Sequence, residues 1–264
     1  VLNAVSPAVK RYPYEITPEI RKKIETALQK TVYRLLHFQV EREAVFSAME
    51  EKGIAYLPLK GINLAEYYPI PGMRWMCDND ILYGDMENCE ASDETAETLK
   101  NIMIGLGYTT EHLGLVHDVY YKKPFFNFEM HRKLFSADSP FAGYYANPWK
   151  RAIPVSGKKC QYCFKPEDEY VFMLAHAYKH FQQSGSGIRT LVDEYVFLHA
   201  NTKMDWQYIK KQLLSIGLET FEENMREAAI NVFSLEGSLT EKNWEMIQYM
   251  FNCGTYGKLS LRVQ

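Results

Sequence analysis

The feature of this chain that most restricts its fold is a change in hydrophobic pattern close to Pro154. Before that point, short apolar runs typical of strands alternate with segments whose apolar residues have helical spacing. After it, nearly every segment has helical spacing. Any sheet must therefore be built from the first part of the chain. We predict an α+β fold, in which a mixed or antiparallel sheet with its helices is followed by a C-terminal helical bundle.

The pattern divides the chain into three predicted parts. Residues 1–52 are expected to be a helical segment that packs on the core, and residues 53–155 contain all the clear strand signals. Residues 156–264 are expected to form the helical domain. The strand signals include three consecutive segments, "YTTEHL", "VHDVYYKK" and "FFNFEMHRKL", which predict an antiparallel meander.

Local signals mark the first two elements. Thr17-Pro18 is a favourable helix start, because a hydroxyl cap precedes a proline at the first helical position. Lys52-Gly53 is a favourable helix end, since glycine adopts the left-handed conformation that closes many helices. The apolar run after Gly53 reads as a strand, and its Pro58 indicates either an irregular strand or one at an edge of the sheet.

The charge balance and the cysteines restrict the class of protein. A formal net charge of −3 leaves no broad basic surface, which argues against long nucleic acid as a partner. No apolar run approaches the roughly 20 residues of a membrane span. The first residues have no apolar core like that of a signal peptide. Five scattered cysteines, an odd number, fit reduced thiols better than a disulfide framework. We therefore expect a cytoplasmic protein with no membrane partner.

Two aspartates, Asp78 and Asp80, stand at the start of an otherwise apolar predicted strand. Residues i and i+2 of a strand point to the same face, so these carboxylates would repel each other unless a cation lay between them. A third carboxylate, Glu129, lies on the polar face of a later apolar strand. Three carboxylates on adjacent strands are typical of a site for two Mg²⁺ or Mn²⁺ ions. The alternative is that Asp78 is a turn residue ahead of the strand.

Residues suited to phosphate lie just before these aspartates. Lys60-Gly61 stands at a predicted strand-to-helix turn, where backbone N–H groups favour an anion and glycine permits a close approach. Arg74 offers a forked, permanently charged donor for phosphate oxygens. Taken singly, Lys60 and Arg74 could be ordinary surface charges. Together with the carboxylates, they supply what a nucleoside triphosphate requires.

Four segments taken in order resemble a known family. They are "PLKGINLAEYYPIPGMRWMCDNDILYG", "NFEMHRKLF", "EDEYVFMLAHAYKHF" and "GIRTLVDEYVFL". The chain resembles, over about residues 50–235, the uncharacterised nucleotidyltransferase family of the polymerase-beta-like superfamily. The resemblance implies a nucleotidyltransferase-like core. It departs from the family at Asn79, where the middle position of the D-x-D motif is usually aliphatic.

The resemblance also implies a reaction and a site. Asp78, Asp80 and Glu129 would be the catalytic residues and the ligands of two Mg²⁺ or Mn²⁺ ions. The Lys60-Gly61 turn and Arg74 would lie near the triphosphate. The enzyme would move an NMP group from an NTP, ATP among them, to a small-molecule or protein acceptor and release pyrophosphate, in a cleft between the two domains. The alternatives are a non-catalytic nucleotide-binding or regulatory module and a metal-dependent phosphohydrolase.

Several polar residues outside these motifs are further candidates. His131 shares the face of Glu129 and could contact the nucleotide, or could be a satisfied polar residue at the end of the sheet. His176, Lys179 and His180 share a helix face, and the resemblance places them towards the nucleotide. The alternative for them is a contact between helices, since the zinc motif H-E-x-x-H is incomplete. The C-x-x-C segment from Cys160 lacks a second pair, so plain thiols in a hairpin are expected.

Overall fold

The computed structural model describes residues 16–85, 91–114, 116–183, 185–234 and 237–253. Its α-carbon contacts divide the chain into two compact units, of which the first ends at Phe164 and the second begins at Lys165. The first unit contains both the long N-terminal helix and the sheet. The first 15 residues of the predicted segment 1–52 lie outside the described residues.

Helix α1 (Pro18–Lys52) is unbroken over 35 residues. Its start is capped by the Thr17 side chain, which accepts a hydrogen bond of 3.4 Å from the N–H of Ile20. It ends at Gly53, whose φ of 71° is left-handed and costs glycine little. Both ends predicted from local sequence signals are confirmed.

A mixed sheet of five strands, in the order β1-β2-β5-β4-β3, forms the centre of the first unit. Strands β2 and β5 are parallel, and the other neighbouring pairs are antiparallel. Strand β1 stands at the end of this order, so Pro58 lies on an edge strand as predicted, although Tyr56 of β1 also forms an isolated parallel bridge with Gln161. The strands are β1 (Ala55–Pro58), β2 (Asn79–Gly84), β3 (Thr109–His112), β4 (His117–Lys122) and β5 (Phe126–His131).

Two helices cover one face of this sheet and create the main core. Helix α1 packs against α3 (Asp93–Gly105), and the short α2 (Gly61–Glu66) contacts β2. Buried residues alternate along most of β4 and β5, as the period of a strand requires, whereas every residue of β1 and β2 is buried and every residue of β3 is exposed. The largest fully buried side chains of this core are Phe38, Met49, Tyr56, Ile81, Tyr83, Tyr120 and Phe128.

A small hairpin completes the first unit. Strands β6 (Ala152–Pro154) and β7 (Tyr162–Phe164) pair antiparallel after a 3-10 turn (Pro148–Arg151). The C-x-x-C segment lies at this hairpin, with Cys160 buried and Cys163 half-buried. The four cysteines among the described residues form no disulfide.

The second unit is helical, which confirms the predicted change of structure in the second part of the chain. Its last helix, α8, was not predicted from the sequence. None of the helices in the described ranges is both long enough and apolar enough to cross a membrane. The helices are α4 (Pro166–Gln183), α5 (Arg189–Ala200), α6 (Trp206–Ile216), α7 (Glu219–Phe233) and α8 (Glu241–Cys253).

Candidate metal and nucleotide site

The centre of the candidate site is a pair of carboxylates on neighbouring strands. Asp80 of β2 lies opposite Glu129 of β5 in the parallel register, which confirms that these two carboxylates occupy adjacent strands. His131 lies two residues further along β5. One ligand atom from each of these three side chains lies within 4.8 Å of the other two. A carboxylate pair with an imidazole is a donor set that a divalent cation such as Mg²⁺ or Mn²⁺ can use.

Asp80 is buried but has two close nitrogen partners. The ammonium of Lys60 lies 2.8 Å from Asp80 Oδ1, and Nε2 of His131 lies 2.8 Å from the same oxygen. Burial alone would raise the pKa of Asp80. The ammonium and the imidazole hydrogen bond outweigh this effect and hold that pKa well below its usual range. Asp80 is therefore an ionised carboxylate near neutral pH.

Glu129 is in the opposite electrostatic situation. Burial, followed by the negative charges of Asp80 and Asp78, raises the pKa of Glu129 to about 7. Two imidazoles stand near its Oε2 atom, with His131 Nε2 at 3.8 Å and His117 Nε2 at 3.9 Å. Burial also lowers the pKa of His131. This corner of the site thus has more negative charge than Lys60 alone can neutralise, and an added cation would be favoured there.

Asp78 lies ahead of strand β2 and not within it, which agrees with the alternative stated for this residue. Strand β2 begins at Asn79, so Asp78 precedes the strand and the same-face spacing of i and i+2 does not apply to it. In the described part of the chain, the compact donor set contains Asp80, Glu129 and His131 without Asp78. The charge of Asp78 still raises the pKa of Glu129. Its role as a metal ligand stays a prediction.

The turn before α2 brings the three candidate phosphate-binding residues together. Lys60 has φ 44° and ψ −109°, the angles of the second residue of a type II′ turn, which normally requires glycine. The Nη1 atom of Arg74 donates a hydrogen bond of 3.4 Å to the carbonyl of Gly61. A Cβ at Gly61 would lie 2.9 Å from this nitrogen, so a larger residue there would displace the end of the Arg74 side chain. Strained backbone is often found at functional sites.

Asn79, the departure from the family pattern, has a structural partner. Its side chain is fully buried on the core face, where Oδ1 accepts a hydrogen bond of 2.9 Å from Nη1 of Arg42 on α1. Its Nδ2 donates to the carbonyl of Asn127 at 3.2 Å. Burial lowers the pKa of Arg42 to about 10. The polar side chain at this position therefore satisfies a buried guanidinium and leaves Asp80 on the opposite face of the strand.

Two residues near the site were missed in the sequence. Arg34 of α1 donates hydrogen bonds to the carbonyls of Met76, Cys77 and Phe125, at 2.9, 3.0 and 3.1 Å respectively. It thereby joins the loop ahead of β2 to the start of β5. His117 of β4 pairs with His131 in the antiparallel register. Only the strand register could have indicated His117, because nothing in its local sequence distinguishes it.

The remaining predicted residues, His176, Lys179 and His180, lie on α4 in the second unit. The Nε2 atoms of the two histidines are 3.1 Å apart, as expected for side chains one helical turn apart. Over the described ranges, neither histidine belongs to a group of three metal-ligating side chains. Their contact with a nucleotide stays a prediction.

Three solved structures share a low similarity with the chain. The antibiotic-resistance factor ANT(2'')-Ia in solution is 10% identical, with a TM-score of 0.37 over 78% of this chain and 92% of that one. Crystalline ANT(2")-Ia in complex with adenylyl-2"-tobramycin is 11% identical, with a TM-score of 0.37 over 74% and 98%. An antigenic nucleotidyltransferase-like protein from Paracoccidioides brasiliensis is 14% identical, with a TM-score of 0.40 over 70% and 91%. These similarities are too low to support an inference about activity.

A comparison with curated proteins gave no match. The family comparison gave a clear result, because the model of one family, described as uncharacterised nucleotidyltransferase, matches residues 1–234 of the chain. This range includes the whole sheet, the carboxylate pair and the Lys60-Gly61 turn. The chain thus belongs to the uncharacterised nucleotidyltransferase family.

Proposed function

We propose that the protein is a metal-dependent nucleotidyltransferase that moves an NMP group from an NTP to an acceptor with release of pyrophosphate. The observation that carries this proposal is the register-paired Asp80 and Glu129, next to a turn that combines Lys60, Gly61 and Arg74. Membership of a nucleotidyltransferase family supports the same reaction class. The acceptor is a small molecule or a protein, and ATP is one candidate donor.

The carboxylates are assigned to the metal ions. Asp80 and Glu129, with Asp78 just ahead of the strand, would hold two Mg²⁺ or Mn²⁺ ions, and His131 Nε2 is close enough to serve as a further ligand. When bound, such ions neutralise the negative charge that develops on the phosphoryl oxygens. The ionised state of Asp80 suits this role, because only a deprotonated carboxylate is a strong ligand. One of the carboxylates would also accept the proton of the attacking group.

The Lys60-Gly61 turn and Arg74 are assigned to the triphosphate. Lys60 supplies a mobile ammonium, and the missing side chain of Gly61 lets the Arg74 guanidinium approach this turn closely. Arg74 is 8% exposed and fixed against the carbonyl of Gly61, so its guanidinium is held in one place before any phosphate arrives. A positioned cation of this kind stabilises charge without reorganisation during the reaction. His176, Lys179 and His180 are proposed as additional nucleotide contacts.

The first test is thermal unfolding of the protein with each of the four NTPs, with and without Mg²⁺. A ligand that binds the native state raises the unfolding midpoint. We expect a rise that requires both Mg²⁺ and an NTP and that is lost in the Asp80→Asn and Glu129→Gln variants. Glu97→Gln, at an exposed helix position, is the matched control and should behave like the wild type.

The second test is an acceptor screen with α-labelled NTP. Pyrophosphate together with a labelled acceptor identifies transfer. Labelled NMP without a modified acceptor would indicate the phosphohydrolase. Binding of NTP without any turnover across the screen would indicate the non-catalytic module. Undiminished transfer by the Asp80→Asn variant would contradict the assignment of the site.

A further inference from the structure

Lys60 already supplies a positive charge at the atom that a metal ion would use. Its ammonium lies 2.8 Å from Asp80 Oδ1, one of the oxygens in the compact donor set. The Lys60 and Asp80 side chains are 19% and 8% exposed, so water screens this ion pair weakly. A divalent ion at Asp80 would lie within a few ångströms of the ammonium. The two cations would repel each other strongly at that distance.

We propose that Lys60 competes with the divalent ion for Asp80 and that the triphosphate of the donor draws the ammonium away. Metal ion and nucleotide would then bind with positive coupling, and the ion would bind weakly on its own. This inference rests on the proposed function and adds to it a coupling between the binding of the metal ion and the binding of the nucleotide. It assigns to Lys60 two alternative partners, the carboxylate of Asp80 and a phosphate.

The mobility of the groups around Asp80 supports this exchange. Lysine has a flexible four-carbon stem and a compact charge, so it can change partners at low cost. The side chains of the two other nitrogen-bearing residues at this site are less able to move. His131 is fixed in β5 with its side chain 7% exposed, and Arg74 is fixed by its contact with the carbonyl of Gly61. Lys60 is therefore the cation at this site that can leave Asp80.

The backbone at Lys60 favours the same interpretation. Its positive φ of 44° is unfavourable for a residue with a side chain. A glycine would fit this turn without strain, so the conformation alone does not explain the presence of lysine. The Lys60 carbonyl accepts the N–H of Leu64 at 2.9 Å, which ties the residue to the first turn of α2. Lys60 is thus held beside both Asp80 and the proposed phosphate position while its side chain remains free to move between them.

Binding of Mn²⁺ alone, measured by the loss of the electron paramagnetic resonance signal of free Mn²⁺, tests the competition. We expect Lys60→Met to bind Mn²⁺ roughly 10-fold to 1,000-fold more tightly than the wild type, because one repelling charge is removed. Lys60→Arg keeps the charge and should stay weak. Lys100→Met, at an exposed ion pair, is the control and should match the wild type. Adding Asp80→Asn to Lys60→Met should remove the gain.

Equal Mn²⁺ affinity in Lys60→Met and the wild type would overturn the proposal. Since the variant removes one member of a buried ion pair, its fold is checked by thermal unfolding. A measurement on the wild type alone covers the case in which the variant does not fold. Inorganic tripolyphosphate, which carries the phosphates common to all NTPs, should raise the affinity of the wild type for Mn²⁺ at least tenfold. Because tripolyphosphate itself binds Mn²⁺ and removes the free-ion signal, this affinity is measured by equilibrium dialysis, with the same tripolyphosphate in the protein-free chamber. No rise would overturn the proposal.

Failure of this inference differs from failure of the proposed function. If labelled NMP is transferred from an NTP but Mn²⁺ binds equally well to the wild type and to Lys60→Met, the enzyme assignment holds and the competition is wrong. If Mn²⁺ binding follows the expected pattern but no NTP is turned over, the competition holds in a protein that binds nucleotide without catalysis.

Discussion

The two units each bury a cluster of carboxyl groups, but the buried carboxyl group is ionised in one cluster and mainly protonated in the other. In the first unit, Asp80 meets the ammonium of Lys60 and stays ionised. In the second, the Glu194 carboxyl is 1% exposed and its nearest partner is the Tyr170 hydroxyl, 2.5 Å from Oε1. Burial and the charge of Glu222 raise the pKa of Glu194 to about 8, although the Tyr170 hydrogen bond opposes this. Glu194 is therefore mainly protonated at neutral pH.

The number of available protons explains the hydrogen bonds of the second cluster. The Tyr170 hydroxyl lies 2.5 Å from Glu194 and 3.0 Å from Glu222, and it has one proton to donate. A protonated Glu194 can donate to the hydroxyl oxygen, which leaves the Tyr170 proton for Glu222. Nε of Arg226 donates to the same Glu222 oxygen at 2.6 Å. This arrangement joins α4, α5 and α7 and needs no further cation.

The partners of a buried carboxyl group determine whether it is ionised and therefore whether it can be a ligand. A carboxylate kept ionised by an ammonium, with half-buried Glu129 beside it, is a strong potential ligand, and we propose that it exchanges the ammonium for a metal ion. A carboxyl group kept neutral by burial is a hydrogen-bond donor and a poor ligand. Burial is common to both clusters, so burial alone does not identify a site. The nature of the partners does.

The strongest test of this contrast is the same chemical change in both clusters. Asp80→Asn should lower nucleotidyl transfer by roughly 10³-fold or more, because it removes an ionised ligand. Glu194→Gln replaces a neutral acid by a neutral amide of the same shape, so transfer should change by less than about twofold. Initial rates with saturating Mg²⁺ and NTP measure both. Equal losses in the two variants would remove the distinction.

The next effect concerns the stability of the second cluster. Tyr170→Phe leaves Glu194 and Glu222 without their shared hydroxyl and should lower the free energy of unfolding by about 1–3 kcal/mol. Urea unfolding measures the change. Tyr33→Phe is the control, because Tyr33 is 56% exposed, and it should stay within about 0.5 kcal/mol of the wild type. If Tyr170→Phe left the free energy of unfolding unchanged, the hydrogen bonds of this cluster would contribute nothing to stability.

A smaller effect is the pH dependence of stability. The pKa of Glu194 is about 8 in the folded protein and near 4.5 when unfolded, so the folded state retains a proton that the unfolded state has lost. Stability should therefore fall as the pH rises from 7 to 8, by up to about 1.4 kcal/mol per pH unit. Glu129, with a pKa of about 7, contributes the same sign mainly below this window.

Glu194→Gln should flatten this pH slope, whereas Asp80→Asn should preserve it, because the lowered pKa of Asp80 places its own effect at acidic pH. Urea unfolding at pH 7.0, 7.5 and 8.0 compares the three proteins. An unchanged slope in Glu194→Gln would show that Glu194 is already ionised at pH 7.

The smallest effect is expected for a carboxylate that is not buried. Glu97 and Lys100 form an exposed ion pair of 3.1 Å on α3, with side chains 60% and 33% exposed. Lys100→Met should change the free energy of unfolding by less than about 0.5 kcal/mol. Thermal and urea unfolding both measure this. A larger change would indicate that pairing matters more than burial and would weaken the comparison of the two clusters.

Features that depend on interactions between residues close in sequence were predicted correctly. The ends of α1 were predictable, because the Thr17 cap and Gly53 act within a few residues of themselves. The Pro58 edge strand was also a local inference. The proximity of Asp80 and Glu129 was expected, because Asp78 and Asp80 were placed on one apolar strand and Glu129 on an adjacent one. The parallel register of these strands could not be derived locally, because it depends on which strands become neighbours.

The residues that were missed depend on contacts between distant segments. His117 enters the site through the register of β4 with β5. The partner of Glu194 comes from another helix, and nothing near it in the sequence indicates a raised pKa. The start of β2 was also predicted wrongly. The strand was expected to include Asp78, but it begins at Asn79, because a D-x-D pattern does not mark where a strand begins.

The buried contact between Arg42 and Asn79 has a consequence for how relatives of this chain can diverge. An aliphatic side chain at position 79, introduced alone, would leave the Arg42 guanidinium without this acceptor, and an aliphatic side chain at position 42 alone would leave the amide oxygen of Asn79 without this donor. The two changes made together would remove both groups. Positions 42 and 79 are therefore expected to change together among relatives of this chain, because either replacement alone leaves a buried polar group without this partner.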